Sequence, residues 1–220
     1  EVGCGWGHFL QLCRPHYHTV EGVELSRDQA AHARERFDLD VSSTDVLRQD
    51  LPRKYNLIVA WEVLEHLAYP TRFLRWAHDH LLPGGQLILS TPNYNSLYRR
   101  LLGGRWFYAI PSQHLTYYTP DVLKAQLKQA GFAETAVHTS GRSLLRERFN
   151  GHNRIDRRAD AREQWLETLR IRDRIEAERA AVSVETKNPV KRIWNARCWR
   201  LFNALLQNGW GDQMRGYARE

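Results

Sequence analysis

Hydrophobic residues in this chain fall into short continuous runs separated by longer stretches of mixed polarity. The clearest run is Tyr55–Trp61, and a second lies at 86–90. Uninterrupted apolar runs of this length predict strands that are covered on both faces. Weaker runs predict further strands at 18–24, 41–45, 133–139 and 212–218.

The stretches between these runs are typical of helices. Ser26 is a suitable N-cap for a helix over 26–37, and Thr119 with Pro120 opens a second helix that ends at Gly131. A further helix is predicted after Trp61, to about residue 82, followed by a turn at 83–85. Strands that alternate with helices predict an α/β fold with a mostly parallel, Rossmann-like sheet and helices on both faces.

The pattern and the charge both change near residue 142. Residues 1–141 contain 14 Lys/Arg and 14 Asp/Glu, whereas residues 142–220 contain 18 and 11, so the net charge of +7 lies in the last third. We therefore expect a core at 1–141, a basic helical insertion at 142–207 and a last strand supplied by 208–220. A solvated Arg-rich face is the favoured interpretation of this charge; nucleic acid, an anionic membrane and an acidic substrate stay open as partners.

Within the insertion, residues 189–207 interleave four basic residues with an apolar stripe. Such stripes usually pack against the rest of the protein, and peripheral contact with an anionic membrane is the alternative. No apolar run is long enough to cross a bilayer, and no signal-peptide pattern is present. Three cysteines without a C-x-x-C pair favour a reduced, cytoplasmic protein.

The strongest local signal is a glycine turn at the start of the chain, in which Glu1 is followed by Gly3, Gly5 and Gly7. Glycine accepts backbone angles that a Cβ forbids and lets a ligand lie on the main chain. Such a turn can hold a dinucleotide, hold an adenosine without a pyrophosphate, or simply make a tight corner. The E-x-G-x-G-x-G spacing argues against NAD. Because the turn comes so early, we also expect the first strand to begin upstream of this sequence.

Five landmarks in order carry a resemblance to a known family: residues 1–7, the strand-end Glu24, and the segments 61–67, 82–85 and 114–132. The chain resembles the class I S-adenosylmethionine-dependent methyltransferases, and within them the branch of the ubiquinone-biosynthesis O-methyltransferases. The resemblance implies a seven-stranded sheet with a helical insertion before its last strand, and S-adenosylmethionine as the cofactor. It covers 1–141 well and says little about 142–207.

The same resemblance implies cofactor-binding roles for individual residues. The three glycines would form the floor of the site, and Glu1 would face the ammonium end of the cofactor. Glu24 would accept hydrogen bonds from the ribose hydroxyls, Asp45 would hold the adenine amino group, and Trp61 would lie near the methionine portion.

A second candidate group consists of Glu62, Glu65, His66 and His114. If 62–66 is helical, the first three share a face and can converge on one cation such as Mg²⁺, Mn²⁺ or Zn²⁺. The alternative is that these residues only orient a loop or the acceptor. His114 is either a general base or a backbone-bonded residue preceding a helix, and the aromatic segment 104–108 either roofs an acceptor pocket or belongs to the core.

The preferred hypothesis is methyl transfer to a hydroxyl of a small molecule that is phenolic, a quinone precursor or sugar-like, with His114 and Glu62 as the catalytic residues. Two alternatives are a ribose 2′-O-methyltransferase acting on RNA and a catalytically idle fold used for binding. Nucleic acid is possible but not favoured, because the sequence lacks an RNA-binding signature.

Overall fold

The computed structural model describes residues 1–48, 53–140 and 213–219. The predicted insertion at 142–207, including the proposed membrane-contacting segment 189–207, lies outside the described residues. None of the helices in the described ranges is both long and apolar enough to cross a membrane.

Six strands and five α-helices follow one another along the described chain. The strands are β1 (Glu21–Val23), β2 (Asp40–Ser42), β3 (Tyr55–Trp61), β4 (Leu81–Pro92), β5 (Glu134–Ser140) and β6 (Gln213–Arg219). The helices are α1 (His8–Cys13), α2 (Arg27–Phe37), α3 (Pro70–Asp79), α4 (Leu97–Leu102) and α5 (Pro120–Gln129), with 3₁₀ turns at Leu64–His66 and Gly103–Arg105.

The strands form a mixed sheet whose two groups are joined by Val2. This residue makes parallel bridges to Val23 of β1 and to Ala60 of β3. It thereby links the β1–β2 pair to the β3–β4–β6–β5 group and gives the order β2–β1–Val2–β3–β4–β6–β5. β6 runs antiparallel to both β4 and β5, whereas the β1–β2 and β3–β4 pairs are parallel.

The predicted Rossmann-like α/β architecture is thus present, but the predicted count of seven strands is not confirmed. The described residues form six strands, and Val2 occupies the position between β1 and β3 as a single paired residue. The predicted last strand is found, beginning at Gln213.

Helices cover both faces of the sheet, as the continuous apolar runs predict. Leu87 and Leu89 of β4 lie in the larger core cluster, which also contains buried residues of α3 and α5. Ile88, which points to the other face, lies in a second cluster with Phe9 and Cys13 of α1. α2 packs through Ala30 and Ala33 against a third cluster near the glycine turn.

The predicted helix directly after β3 is wrong in its first part. Glu62 has a φ of 52°, a left-handed conformation that does not continue into a helix. A short 3₁₀ turn follows, and the α-helix begins only at Pro70, where proline suits the first helical position. The predicted turn at 83–85 is instead an irregularity inside β4, with Gly84 at a φ of 74°.

Candidate active site

The glycine turn joins the centre of the sheet to α1. Gly3, Gly5 and Gly7 have φ values of 71°, 55° and 80°, which disfavour any residue with a Cβ. A Cβ at Gly7 would lie 2.8 Å from the Cβ of Ala33, and one at Gly3 would lie 2.6 Å from Cγ2 of Val63. The turn therefore needs glycine both for its backbone and for the close packing of its neighbours.

Glu24 follows β1 and is tied to this turn. The backbone N–H of Gly5 donates to Glu24 Oε2 at 2.8 Å, and that of Ser26 donates to Oε1 at 2.9 Å. Each oxygen keeps a lone pair for a further donor. The adjacent Leu25 is 68% exposed.

Asp45 lies in a turn after β2. Its Oδ1 accepts a hydrogen bond from the backbone N–H of Leu47 at 2.9 Å, and its Oδ2 lies 3.5 Å from Nε of Arg48. The side chain of Asp45 is 38% exposed, so it is accessible to a ligand as well as held in one orientation.

Glu1 lies behind the glycine turn. Burial is the main cause that raises the pKa of its side chain to about 8, and its Oε2 has no hydrogen-bond partner among the described residues. A buried, unpaired carboxyl of this kind suits a cationic partner. Glu1 also lines a cavity of about 190 Å³ together with Glu21, Asp40 and Tyr55 from the amino ends of the strands, and none of the three turn glycines lines that cavity.

Trp61, at the end of β3, is only 7% exposed. Its ring packs edge-on to Phe9 at a centroid distance of 5.6 Å and lies in the core cluster on the α1 face. Its Nε1 has no hydrogen-bond partner within the described part of the chain. The structure thus places most of this side chain in the core, and its contact with the cofactor stays a prediction.

Two carboxyl groups meet where β3 and β4 end side by side. Ser90 Oγ donates to Glu62 Oε1 at 2.6 Å, and Thr91 Oγ1 donates to Glu65 Oε2 at 2.9 Å. Burial first, and the charge of Glu62 second, raise the pKa of Glu65 above its ordinary range. The two hydroxyl residues were not predicted from the sequence, although two successive hydroxyl residues at the end of an apolar strand were visible there.

Glu65, His66 and His114 converge on one point. Each offers one ligand atom, and these atoms lie within 4.8 Å of one another. Glu62 does not belong to this group of three, because the left-handed backbone at Glu62 replaces the helix on which it was expected to share a face with Glu65 and His66.

Both histidines contact a backbone carbonyl oxygen through the same ring nitrogen, Nδ1. Nδ1 of His66 lies 2.9 Å from the carbonyl oxygen of Gln113, and Nδ1 of His114 lies 2.8 Å from that of Tyr108. A carbonyl can only accept, so each Nδ1 carries a proton and each Nε2 is left with a lone pair. Burial is the main cause that lowers the pKa of His114, which keeps its ring neutral at pH 7.

Backbone hydrogen bonds hold the His114 loop against the 3₁₀ turn. The N–H groups of Leu115 and Thr116 both donate to the carbonyl oxygen of Glu65, at 2.8 and 3.2 Å. Aromatic rings surround the loop: Tyr117 contacts His114, Trp106 and Tyr94 at centroid distances of 6.2, 6.0 and 5.6 Å. The segment 104–108 therefore lies beside His114, with Trp106 itself buried.

These residues fit both groups that the sequence implies. Glu65 Oε1 is buried without a hydrogen-bond partner among the described residues. One carboxylate oxygen of Glu65 and one ring nitrogen of each histidine lie within 4.8 Å of one another, a donor set suited to a borderline divalent cation. For the cofactor, Glu24 has spare acceptor capacity beside an exposed Gly3, where the main chain is open to a ligand.

Comparison with known proteins identifies the family and the fold. Residues 1–137 match the family model described as a methyltransferase domain. Ubiquinone biosynthesis O-methyltransferases are similar in sequence: that of Ruegeria pomeroyi is 30% identical over 143 residues, covering 60% of this chain and 58% of the relative. That of Coxiella burnetii is 31% identical over 102 residues, covering 43% of each chain. The match thus spans about half the length of these curated relatives.

Solved structures show the same fold. An S-adenosylmethionine-dependent methyltransferase from Archaeoglobus fulgidus aligns over 100% of this chain and 84% of its own, with a TM-score of 0.60 and 18% identity. One from Mesorhizobium loti aligns over 100% and 88%, with a TM-score of 0.58 and 18% identity. The fold of this chain is the one shared by these S-adenosylmethionine-dependent methyltransferases. The chain belongs to the methyltransferase-domain family, and its sequence resembles the ubiquinone-biosynthesis branch.

Proposed function

We propose that this chain transfers the methyl group of S-adenosylmethionine to an oxygen of a small molecule that is phenolic, a quinone precursor or sugar-like. The observation that carries the proposal is the position of two groups at the same edge of the sheet. Glu24 follows β1, and the cluster of Glu65, His66 and His114 lies where β3 and β4 end. In α/β folds with parallel strands, ligands bind at this carboxyl edge. The name of the Ruegeria pomeroyi relative supports oxygen as the atom methylated.

The cofactor half of the site would work by positioning. Glu24 is already oriented by two backbone N–H donors, so accepting the ribose hydroxyls requires no reorganisation. Asp45 would accept from the adenine amino group. Glu1, whose buried Oε2 accepts no hydrogen bond among the described residues, would face the ammonium end of the cofactor. The electrophile belongs to the cofactor, so the protein has only to align the acceptor and take its proton.

His114 is suited to take that proton. Its Nδ1–H is fixed by the Tyr108 carbonyl, so Nε2 is the basic atom, and burial keeps the ring neutral and able to accept. Glu62, held by Ser90, would orient the acceptor hydroxyl beside it.

A divalent cation is a second use of the same atoms. Glu65, His66 and His114 would hold it, and a bound cation would lower the pKa of an acceptor hydroxyl. His114 Nε2 has one lone pair, so it cannot ligate the ion and act as the base at the same moment. The two roles therefore predict different behaviour of His114 variants.

The cofactor assignment is tested by calorimetric titration of S-adenosylhomocysteine into the full chain. We expect saturable binding, whereas NADH should produce no binding signal in a fluorescence titration. Absence of S-adenosylhomocysteine binding by a folded sample would overturn the proposal and leave the idle-fold hypothesis in its place.

The role of His114 is tested with Mn²⁺ and a matched pair of variants. If the cation is bound, Glu65→Gln should weaken Mn²⁺ binding by about 10-fold or more, while Glu35→Gln on the exposed side of α2 should not. If the two variants bind Mn²⁺ with equal affinity, the metal hypothesis is wrong and the role of His114 as the base remains. In that case His114→Gln should abolish transfer of labelled methyl groups to a panel of dihydroxyphenols while leaving S-adenosylhomocysteine affinity unchanged.

A further inference from the structure

We propose that Tyr108 and Gln213 form a clamp that positions the ring of His114, an inference that rests on the function proposed for His114. Neither residue was a candidate from the sequence. They lie far apart in the chain, and only the fold brings them together. The clamp sets which nitrogen of His114 faces the acceptor, without itself contacting the reacting atoms.

Tyr108 contacts His114 in two ways. Its carbonyl oxygen accepts the Nδ1–H of His114 at 2.8 Å, and its ring lies over the imidazole at a centroid distance of 6.2 Å and an interplanar angle of 29°. The same carbonyl also accepts from the backbone N–H of Ile110 at 2.8 Å. The position of Tyr108 therefore fixes both the tilt of the imidazole and its protonated nitrogen.

Gln213 fixes Tyr108 from the other side. Its Nε2 donates to the hydroxyl of Tyr108 at 2.7 Å, and the residue is only 6% exposed. Gln213 is the first residue of β6 and pairs with Pro92 of β4 and Ser140 of β5, so its backbone is held on both sides. A hydrogen bond from so buried and constrained a donor gives the Tyr108 ring little freedom to turn.

The consequence is a connection between the start of the last strand and the candidate catalytic histidine. Gln213 is the first described residue after Ser140 and the first residue of β6. A partner that orients a ligating or basic histidine is worth about 10- to 100-fold in affinity or activity when it is removed. We expect the lower end of this range, since removal of the side-chain bond frees Tyr108 to move but leaves its carbonyl able to accept from Nδ1–H of His114 for part of the time.

The test uses three variants of the full chain. Gln213→Met keeps the length of the side chain and removes the donor, and Tyr108→Phe removes the hydroxyl of the same bond. Gln213→Glu restores a bond, because the Tyr108 hydroxyl can then donate to the carboxylate. Gln86→Met, at the opposite end of the β4–β6 pair, is the matched control.

The primary measurement is the tautomer of His114 in spectra of protein with ¹⁵N-labelled histidine, with its signal assigned by His114→Gln. We expect one tautomer, protonated at Nδ1, in the unmodified chain, in Gln213→Glu and in Gln86→Met. Gln213→Met and Tyr108→Phe should show a mixture of tautomers. They should also lose about 10-fold in methyl transfer, or in Mn²⁺ affinity where the cation binds. The double variant should lose no more than either single one.

The outcomes separate this inference from the proposed function. If Gln213→Met retains the single tautomer of the unmodified chain, the clamp is wrong even where His114 is essential. If the tautomer changes in Gln213→Met and Tyr108→Phe while His114→Gln leaves activity intact, the clamp stands and the role proposed for His114 is wrong. Loss of folded structure in Gln213→Met is controlled by Tyr108→Phe, which leaves β6 unchanged.

Discussion

Replacement of Glu24 by glutamine is the sharpest test of the cofactor half of the site. Each carboxylate oxygen accepts one backbone N–H, from Gly5 at 2.8 Å and from Ser26 at 2.9 Å. The glutamine side chain has the same size, but its NH₂ group would face one of these donors and could not accept from it. It would also offer the ribose only one acceptor atom in place of two.

The size of the effect follows from the hydrogen bonds that Glu24 would accept from the two ribose hydroxyls. A hydrogen bond to a charged group contributes about 1.5–3 kcal/mol, so two such bonds set an upper range of about 3–6 kcal/mol. Glu24 is only half-buried, which screens its charge, so the lower end applies. A decrease of about 3 kcal/mol in binding free energy corresponds to roughly 100-fold weaker binding.

The measurement is the Kd for S-adenosylhomocysteine by calorimetry, with thermal unfolding of the free chain recorded in parallel. Glu35→Gln serves as the control, since that residue is exposed on α2 and distant from the turn in sequence. If Glu24→Gln retains its melting temperature and its Kd changes by less than about threefold, the ribose assignment fails.

Three further predictions address other parts of the site. Gly7→Ala should lower the free energy of unfolding by about 2–4 kcal/mol in denaturant, because the residue has a φ of 80° and its new Cβ would lie 2.8 Å from the Cβ of Ala33 in α2. Gly104→Ala is the control, since its Cβ would meet nothing within 4 Å, and it should change the stability little. Asp45→Asn should weaken the binding of S-adenosylhomocysteine about 10-fold, but should not weaken the binding of an analogue whose adenine amino group is replaced by oxygen. An equal loss of affinity for both ligands would contradict the adenine contact. Burial raises the pKa of Cys4 and of Cys13 to about 12, so little thiolate exists below that pH, and peptide mapping should find both thiols unalkylated at pH 8 until the chain unfolds.

The sequence was most informative where the site is local. Glu1, the glycine turn and Glu24 lie within one strand–turn–helix–strand unit, and the turn glycines have the positive φ values that their spacing predicts. The strand Tyr55–Trp61 and the N-caps Ser26 and Thr119 were also predicted correctly, because a continuous apolar run and a capping side chain are short-range signals.

The helix predicted directly after β3 was wrong because the backbone there adopts a conformation that is rare for its residue type. Glu62 adopts a φ of 52° although glutamate rarely does so. Its N–H donates to the carbonyl oxygen of Ser90 at 3.1 Å, and its side chain accepts from the hydroxyl of the same residue. Those hydrogen bonds come from a strand that lies nearly thirty residues further on, so no local pattern could reveal that the helix would be delayed to Pro70.

The two halves of the site differ in how they are assembled, and this difference bears on their roles. The proposed cofactor half combines the main chain of the glycine turn with the carboxylates of Glu1, Glu24 and Asp45, which suits a ligand that stays the same across a family. The reacting half joins Glu65, His66 and His114 through contacts between separate segments, with Tyr108 held by Gln213 from the last strand. If the proposed roles hold, we expect substitutions in the loop that carries His114 to alter the acceptor without disturbing the glycine turn. By the same reasoning, variants of Gln213 should change methyl transfer while leaving S-adenosylhomocysteine affinity unaltered.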